Sequence, residues 1–159
     1  MKRICAMTVL GFVLSVPAAL AEEKQMDIIS CRSGAATVLS ASKEATVLIV
    51  DSKGINAPES TALFAGTTNR CIGVVSIVNG KRTENGYCKY LAQNGDYNLL
   101  EWTGSGKRGV GTWKYIYGTG KWKGVKGGGA YKTIMRGKPI AKGTYQFCLR
   151  ATGTYELAN

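Results

Sequence analysis

The feature that most constrains this chain is a series of short β-prone runs, separated by turn signals roughly every 8–12 residues. No stretch shows a helical apolar period of convincing length. Loops are predicted at 51–60 and at the glycine-rich, basic segment 104–111. The pattern predicts an all-β sandwich or barrel. The predicted strands cover 28–31, 36–40, 45–50, 61–65, 71–78, 87–92, 97–102, 112–117, 130–136 and 144–152.

The N-terminus has the pattern of a secretory signal peptide. Lys2 and Arg3 precede an apolar run over about residues 4–16, and an A-x-A cleavage site ends at Ala21. The run is shorter than the about 20 residues that span a bilayer, although an uncleaved anchor is the alternative. We expect a signal peptide at 1–21, a single domain at 22–159 with no transmembrane segment, and a periplasmic or secreted location.

Four cysteines follow the predicted cleavage site, and the chain has no histidine. An even number of cysteines in an oxidising compartment indicates disulfides. A hairpin turn at Asn79-Gly80 would place Cys71 opposite Cys88, whereas a turn at 85–86 would shift that register. Elimination then pairs Cys31 with Cys148, which would join the first and last strands and tie a barrel shut.

The missing histidine also limits the chemistry. Without it, Ser-His-Asp and Cys-His catalysis are excluded, as is histidine-ligated haem or copper. No cysteine pair has C-x-x-C spacing, so the cysteines favour disulfides over zinc. We therefore expect no metal and no cofactor.

The charge is unevenly distributed along the chain. Residues 102–155 contain eleven basic residues and no acidic one. This asymmetry suggests an anionic partner, such as lipopolysaccharide or another envelope component, although no specific nucleic-acid motif is present. The alternative is that the lysines only solvate exposed strands and protect sheet edges. The candidates for a basic face are Lys107, Arg108, Lys121, Lys123 and Lys126.

The segment 118–132, GTGKWKGVKGGGAYK, is the richest in glycine. It matches neither the phosphate-binding G-x-x-x-x-G-K-[ST] pattern nor G-x-G-x-x-G, and its flanks are strands rather than a strand and a helix. Glycine in strands marks bulges, bends and close backbone approach. We predict a barrel-building corner in which Trp122 and Val125 act as hydrophobic plugs.

The same segment resembles the G-[TS]-G-x-[FWY]-x-G-x-x-G-x-x-x-[YF] signature of allene oxide cyclase-like and dirigent-like barrels. More closely, residues 71–155 resemble small secreted proteobacterial proteins that share this barrel and whose function is not settled. The segments of this chain that match those proteins are 86–88 (GYC), 94–96 (NGD), 101–102 (EW) and 111–113 (GTW).

The resemblance implies a single eight-stranded, mostly antiparallel closed β-barrel. Such a barrel has an interior that side chains fill or that holds one small ligand. In the plant members the cavity binds an apolar substrate and steers its cyclisation or coupling. No motif around their catalytic residues is visible here, so none is carried over.

The candidate site residues are one carboxylate and a set of aromatic side chains on two predicted strands. Glu101 lies in the apolar run YNLLEW and would be a weak catalytic candidate if it pointed inward; otherwise it meets a lysine across the strand. Aromatic residues that alternate along a strand share a face, which is either core or the lining of an apolar pocket. The ligand-lining candidates are Trp113, Tyr115, Tyr117, Tyr145 and Phe147.

Three hypotheses about function follow. The preferred one is a secreted, non-enzymatic barrel that binds a small apolar ligand or serves as an envelope or host-interaction module. The second is a dirigent- or cyclase-like enzyme that acts on an apolar substrate, which an open cavity with a buried carboxylate would favour. The third is a polyanion binder that uses the basic C-terminal half.

Overall fold

The computed structural model describes residues 22–158, and the predicted signal peptide at 1–21 lies outside them. Eight antiparallel strands form a closed barrel in chain order, in which the first strand also pairs with the last. This confirms the predicted fold class. The strands are β1 Lys24–Ala41, β2 Ala45–Asn56, β3 Thr68–Val78, β4 Lys81–Leu91, β5 Tyr97–Ser105, β6 Val110–Gly118, β7 Lys126–Gly137 and β8 Thr144–Glu156.

Both predicted disulfides are present. Asn79 and Gly80 have positive φ values of 48° and 74° and form the hairpin turn between β3 and β4, so the alternative turn at 85–86 is wrong. In this register Cys71 lies opposite Cys88 and is bonded to it. Cys31 of β1 is bonded to Cys148 of β8, across the seam that closes the barrel.

Several strand boundaries differ from the prediction; β4, for example, begins at Lys81 rather than at residue 87. β1 is one strand where two were expected, because β2 and β8 give its polar middle backbone partners on both sides. β2 continues through the predicted loop to Asn56, since Gly54 remains paired with Arg32. The predicted strand at 61–65 is a series of turns instead, because it folds over the barrel end and buries Phe64.

The glycine-rich segment forms the connection between β6 and β7. A short 3-10 helix, Gly120–Trp122, leads to Val125, and Trp122 is completely buried. Gly124 and Gly127 have φ values of +70° and +120°, which side chains rarely adopt. The segment is therefore the predicted corner, and Trp122 and Val125 are its buried plugs.

Candidate functional site: an interior cavity open at one end

The barrel encloses a cavity of about 340 Å³. Its lining comes from all eight strands; on β8 it takes every second residue, Tyr145, Phe147, Leu149 and Ala151. This spacing is what a strand gives when alternate side chains point inward. Arg108, Gly109 and Arg136 also line the cavity, so it opens at the end that carries the β5–β6 and β7–β8 connections, hereafter the open end.

The opposite, closed end is filled by aromatic side chains. Phe64 lies with its ring centroid 6.1 Å from that of Trp122 and 6.2 Å from that of Tyr115, both stacked, and 5.4 Å edge-on from that of Tyr155. All four residues are buried, with exposed fractions between 0% and 8%. Tyr115 donates a hydrogen bond to Met26 Sδ, 3.2 Å away, and Met26 forms part of the cavity lining. The plug therefore forms the floor of the cavity.

Large interior side chains lie over glycines on neighbouring strands. A Cβ added to Gly54 would come within 2.7 Å of Arg32 Cγ, and one added to Gly73 or Gly86 within 2.6 Å of the Trp102 ring. These glycines provide the space in which a long side chain folds along the wall. The same arrangement pairs Gly34 with Tyr145 and Gly111 with Tyr131.

Arg32 is a buried cation inside the barrel. Its guanidinium donates hydrogen bonds to Ser30 Oγ at 3.2 Å, to Cys71 Sγ at 2.7 Å and to Tyr90 Oη at 2.5 Å. Asn69 donates to the same Ser30 hydroxyl, at 3.0 Å. Arg32 is thus held by neutral groups on β1, β3 and β4, and it lines the cavity.

The mouth of the cavity contains a second polar group. Arg82 and Glu84, two residues apart on the inner face of β4, form an ion pair of 2.5 Å in which Glu84 is 8% exposed. Tyr131 donates a hydrogen bond to the other oxygen of Glu84, at 3.2 Å. Burial, followed by the charge of Glu84, raises the pKa of Tyr131, so its phenol stays protonated.

The two ends carry different charges. The open-end residues, in the ranges 42–44, 79–84, 105–109 and 134–143, include eight basic and two acidic residues, a net charge of +6. The closed-end residues, in the ranges 22–26, 56–68, 91–97, 118–126 and 155–158, include four basic and five acidic residues, a net charge of −1. The positive field is therefore concentrated at the cavity mouth.

The predicted aromatic candidates are divided by the structure. Trp113, Tyr145 and Phe147 line the cavity. Tyr115 lies beneath it, in the plug. The prediction that Tyr117 shares the face of Trp113 and Tyr115 is wrong: Tyr117 is 52% exposed. A β-bulge leaves Ile116 without a partner, because Leu99 and Leu100 of β5 face Tyr117 and Tyr115, and this turns Tyr117 outward.

The other candidates lie outside the cavity or apart from one another. Glu101 forms a 2.9 Å ion pair with Lys114 on the neighbouring strand and is not part of the cavity lining. Of the two alternatives for Glu101, the structure therefore has the one in which it points outward and meets a lysine across the strand. The five basic candidates do not form one face. Lys107 and Arg108 lie at the open end, whereas Lys121, Lys123 and Lys126 lie at the closed end.

The sequence reasoning missed Arg32, Arg82, Glu84 and Tyr131. A partial signal was available: residues 82, 84 and 88 have the same parity on β4, so the Arg82–Glu84 pair lies on the face of Cys88, but the sequence does not show that this face points inward. No comparable signal existed for Arg32, because its neighbour Cys31 forms a disulfide that could face either side.

Within residues 22–158, no three or more His, Cys, Asp or Glu side chains are grouped closely enough to hold a metal ion. In the same range the structure has no helix long and apolar enough to cross a membrane.

The barrel resembles solved dirigent proteins. The pterocarpan synthase dirigent protein GePTS1 aligns with 92% of this chain and 100% of its own, at 12% identity and a TM-score of 0.57. The pterocarpan synthase dirigent protein PsPTS1 aligns with 87% of this chain and 97% of its own, at 11% identity and a TM-score of 0.51. No protein-family model and no curated protein match the sequence. The dirigent-like resemblance is therefore confirmed for the fold, and identities this low show the fold alone.

Proposed function

We propose that this protein is a secreted, non-enzymatic barrel that takes a small, mostly apolar ligand into its interior through the open end. The observation that carries the proposal is the cavity of about 340 Å³, which is closed below by the aromatic plug and open above. An eight-stranded barrel is either filled by side chains or holds one small ligand. Ligand pockets typically have volumes of about 300–1,000 Å³ and mostly apolar linings.

The secreted location is supported by two features. The sequence begins with a signal-peptide pattern, and the two disulfides are compatible with an oxidising compartment. The non-enzymatic reading is supported by the carboxylates. Glu101 is outside the cavity, and both oxygens of Glu84 are engaged, one by Arg82 and the other by Tyr131.

Binding of N-phenyl-naphthylamine, an uncharged dye that fluoresces in apolar surroundings, tests this proposal. Ala151 is buried and lines the cavity, so Ala151→Phe places a ring inside the barrel. Thr152 is the exposed neighbour on β8, so Thr152→Phe places the same ring outside and is the matched control. We expect the wild-type protein and Thr152→Phe to bind the dye and Ala151→Phe to lose most binding. Equal binding by all three proteins would overturn the proposal, and so would a wild-type protein that binds neither this dye nor its anionic counterpart, anilinonaphthalene sulfonate.

A second candidate function is a dirigent-like enzyme, because the cavity mouth does contain a buried carboxylate, Glu84, beside the protonated phenol of Tyr131. The structural neighbours are pterocarpan synthases, so formation of a pterocarpan from its precursor is the activity to assay. Product formed by the wild-type protein, and lost in a Glu84→Gln variant that still binds the dye, would favour the enzyme. If the wild-type protein forms no product but binds the dye normally, the non-enzymatic proposal is favoured.

A further inference from the structure

We infer that the ligand is an organic anion with an apolar body, whose carboxylate or similar acid group pairs with Arg32 inside the barrel; this inference rests on the proposed function. Arg32 is buried and lines the cavity. Its hydrogen-bond acceptors are a serine hydroxyl, two disulfide sulfurs and a tyrosine hydroxyl, all of them neutral. None of the ion pairs found in residues 22–158 includes Arg32.

A buried charge without a counter-charge is costly, so proteins pair it or place it where a ligand supplies the opposite charge. Two other phenols of the cavity lining do not supply it. Burial raises the pKa of Tyr131 and of Tyr145, so both stay neutral at physiological pH. A disulfide sulfur is a weak acceptor, and it leaves the guanidinium free to make a stronger bond to a carboxylate.

The other charged groups of the cavity lining add to the positive field without replacing Arg32. The lining contains four arginines and one carboxylate, Glu84. Glu84 is occupied by Arg82. Arg108 and Arg136 lie at the mouth, exposed to water, where an ion pair gains little. Arg32 is the cation that gains most from an anion, while the mouth arginines attract that anion towards the opening.

The rest of the lining determines the body of the ligand. Leu100 and Trp113 on β5 and β6, together with Phe147 and Leu149 on the strand beside Arg32, line the cavity with apolar and aromatic surface. The ligand class is therefore a compact aromatic or alicyclic acid, with one anionic group and a body that fills the space above the plug.

Two dyes with the same ring system test this inference. Anilinonaphthalene sulfonate carries an anionic group, and N-phenyl-naphthylamine is its uncharged counterpart. We expect the wild-type protein to bind the sulfonate more tightly, and to keep this preference at about 1 M salt, because buried charges are screened much less than exposed ones. Arg32→Gln should weaken sulfonate binding about ten- to a hundredfold and change binding of the uncharged dye about twofold or less.

Lys132→Gln is the matched control, since Lys132 is an exposed cation on β7 whose removal changes the net charge equally. Arg32→Lys, which keeps the charge, should retain part of the preference if Arg32→Gln does not fold. Equal affinity for the two dyes in the wild-type protein at high salt would overturn the inference. An unchanged preference in Arg32→Gln would overturn it as well. Binding of the uncharged dye in those experiments would leave the proposed function standing, whereas binding of neither dye would remove both.

Discussion

The two ends of this barrel differ in packing and in charge. At the closed end, Phe64 and Trp122 are buried by at least 99% and stack within a four-residue aromatic plug, and the net charge of the surrounding residues is −1. At the open end there is no such plug within residues 22–158; arginines surround an opening, and the net charge is +6. Changes at the closed end should therefore act on folding, whereas changes at the open end should also act on ligand entry and selectivity, and should affect stability strongly only where they break the ion pair of Arg82 and Glu84.

The largest effect is expected from valine at Gly127. Its φ of +120° is unfavourable for any side chain, and an added Cβ would lie 2.2 Å from the Thr154 carbonyl oxygen. We expect Gly127→Val to lose about 4 kcal/mol or more of unfolding free energy in denaturant titrations, or not to fold. Gly124→Val should act in the same direction, since its φ is +70° and its Cβ would meet Ala158.

Gly106→Val is the open-end control for these variants. Gly106 also has a positive φ, +69°, but an added Cβ meets nothing within 4 Å, so we expect a loss of only about 1–2 kcal/mol. A Gly127→Val protein that keeps its stability and both disulfides and loses only ligand affinity would contradict the structural role of this corner.

The second prediction concerns the plug. Trp122 is completely buried and packs against Phe64, so Trp122→Ala should cost about 3–5 kcal/mol of unfolding free energy. The half-exposed Tyr117, another aromatic residue beside the same corner, is the control. Tyr117→Ala removes only a tilted contact with Tyr97 and should cost about 1 kcal/mol or less. Comparable losses in the two variants would show that burial in the plug is not what makes Trp122 stabilising.

The third prediction concerns the ion pair at the mouth. Glu84→Gln leaves Arg82, with a side chain only 17% exposed, without its counter-charge. Breaking a largely buried pair from one side typically costs about 3 kcal/mol, so we expect a loss of that size in denaturant titrations. Replacing both partners, as in Arg82→Leu with Glu84→Leu, should recover much of it. A Glu84→Gln protein as stable as the wild-type protein would show that water reaches this ion pair freely.

The smallest effect is expected at Asp27, which pairs with Arg150 across the β1–β8 seam. The hydrogen bond from Arg150 lowers the pKa of Asp27. Because the folded-state pKa is below the unfolded value, the pair stabilises the protein above about pH 4 and stops doing so as the pH falls through the folded-state pKa.

Asp27→Asn should therefore lower the denaturant midpoint slightly at pH 7, and progressively less as the pH falls below about 4. The effect should be far smaller than that of Glu84→Gln, because both side chains of the pair are nearly half exposed. Arg150→Gln should give the same pH dependence. A difference between wild-type protein and Asp27→Asn that grows towards low pH would contradict the assigned direction of the pKa shift.

Much of the fold could be predicted from the sequence because its signals are local. The turn at Asn79-Gly80 determines a register, and that register brings Cys71 opposite Cys88. The glycine-rich corner also has a local cause, since Gly124 and Gly127 adopt φ values that other residues avoid. The number of strands came from the resemblance rather than from the turn spacing alone.

The site could be predicted less well because it depends on which face of each strand points inward. Cys71 and Cys88 are bonded inside the barrel, whereas exposed Cys31 is bonded on the outside, and nothing in their local sequence separates the two cases. The bulge at Ile116 has a similar effect, because one extra residue reverses the face of Tyr117. Arg32 therefore becomes a candidate only once the faces are known.

Native mass spectrometry of the protein purified from its own cells tests the central claim most directly. We predict a mass above that of the disulfide-bonded chain, and release of a small acidic molecule when the protein is denatured. Protein stripped of that molecule and reloaded with anilinonaphthalene sulfonate shows that the method preserves such complexes. If the reloaded protein retains the dye while protein from its own cells has the bare chain mass, the barrel does not carry a ligand there, and the claim is contradicted.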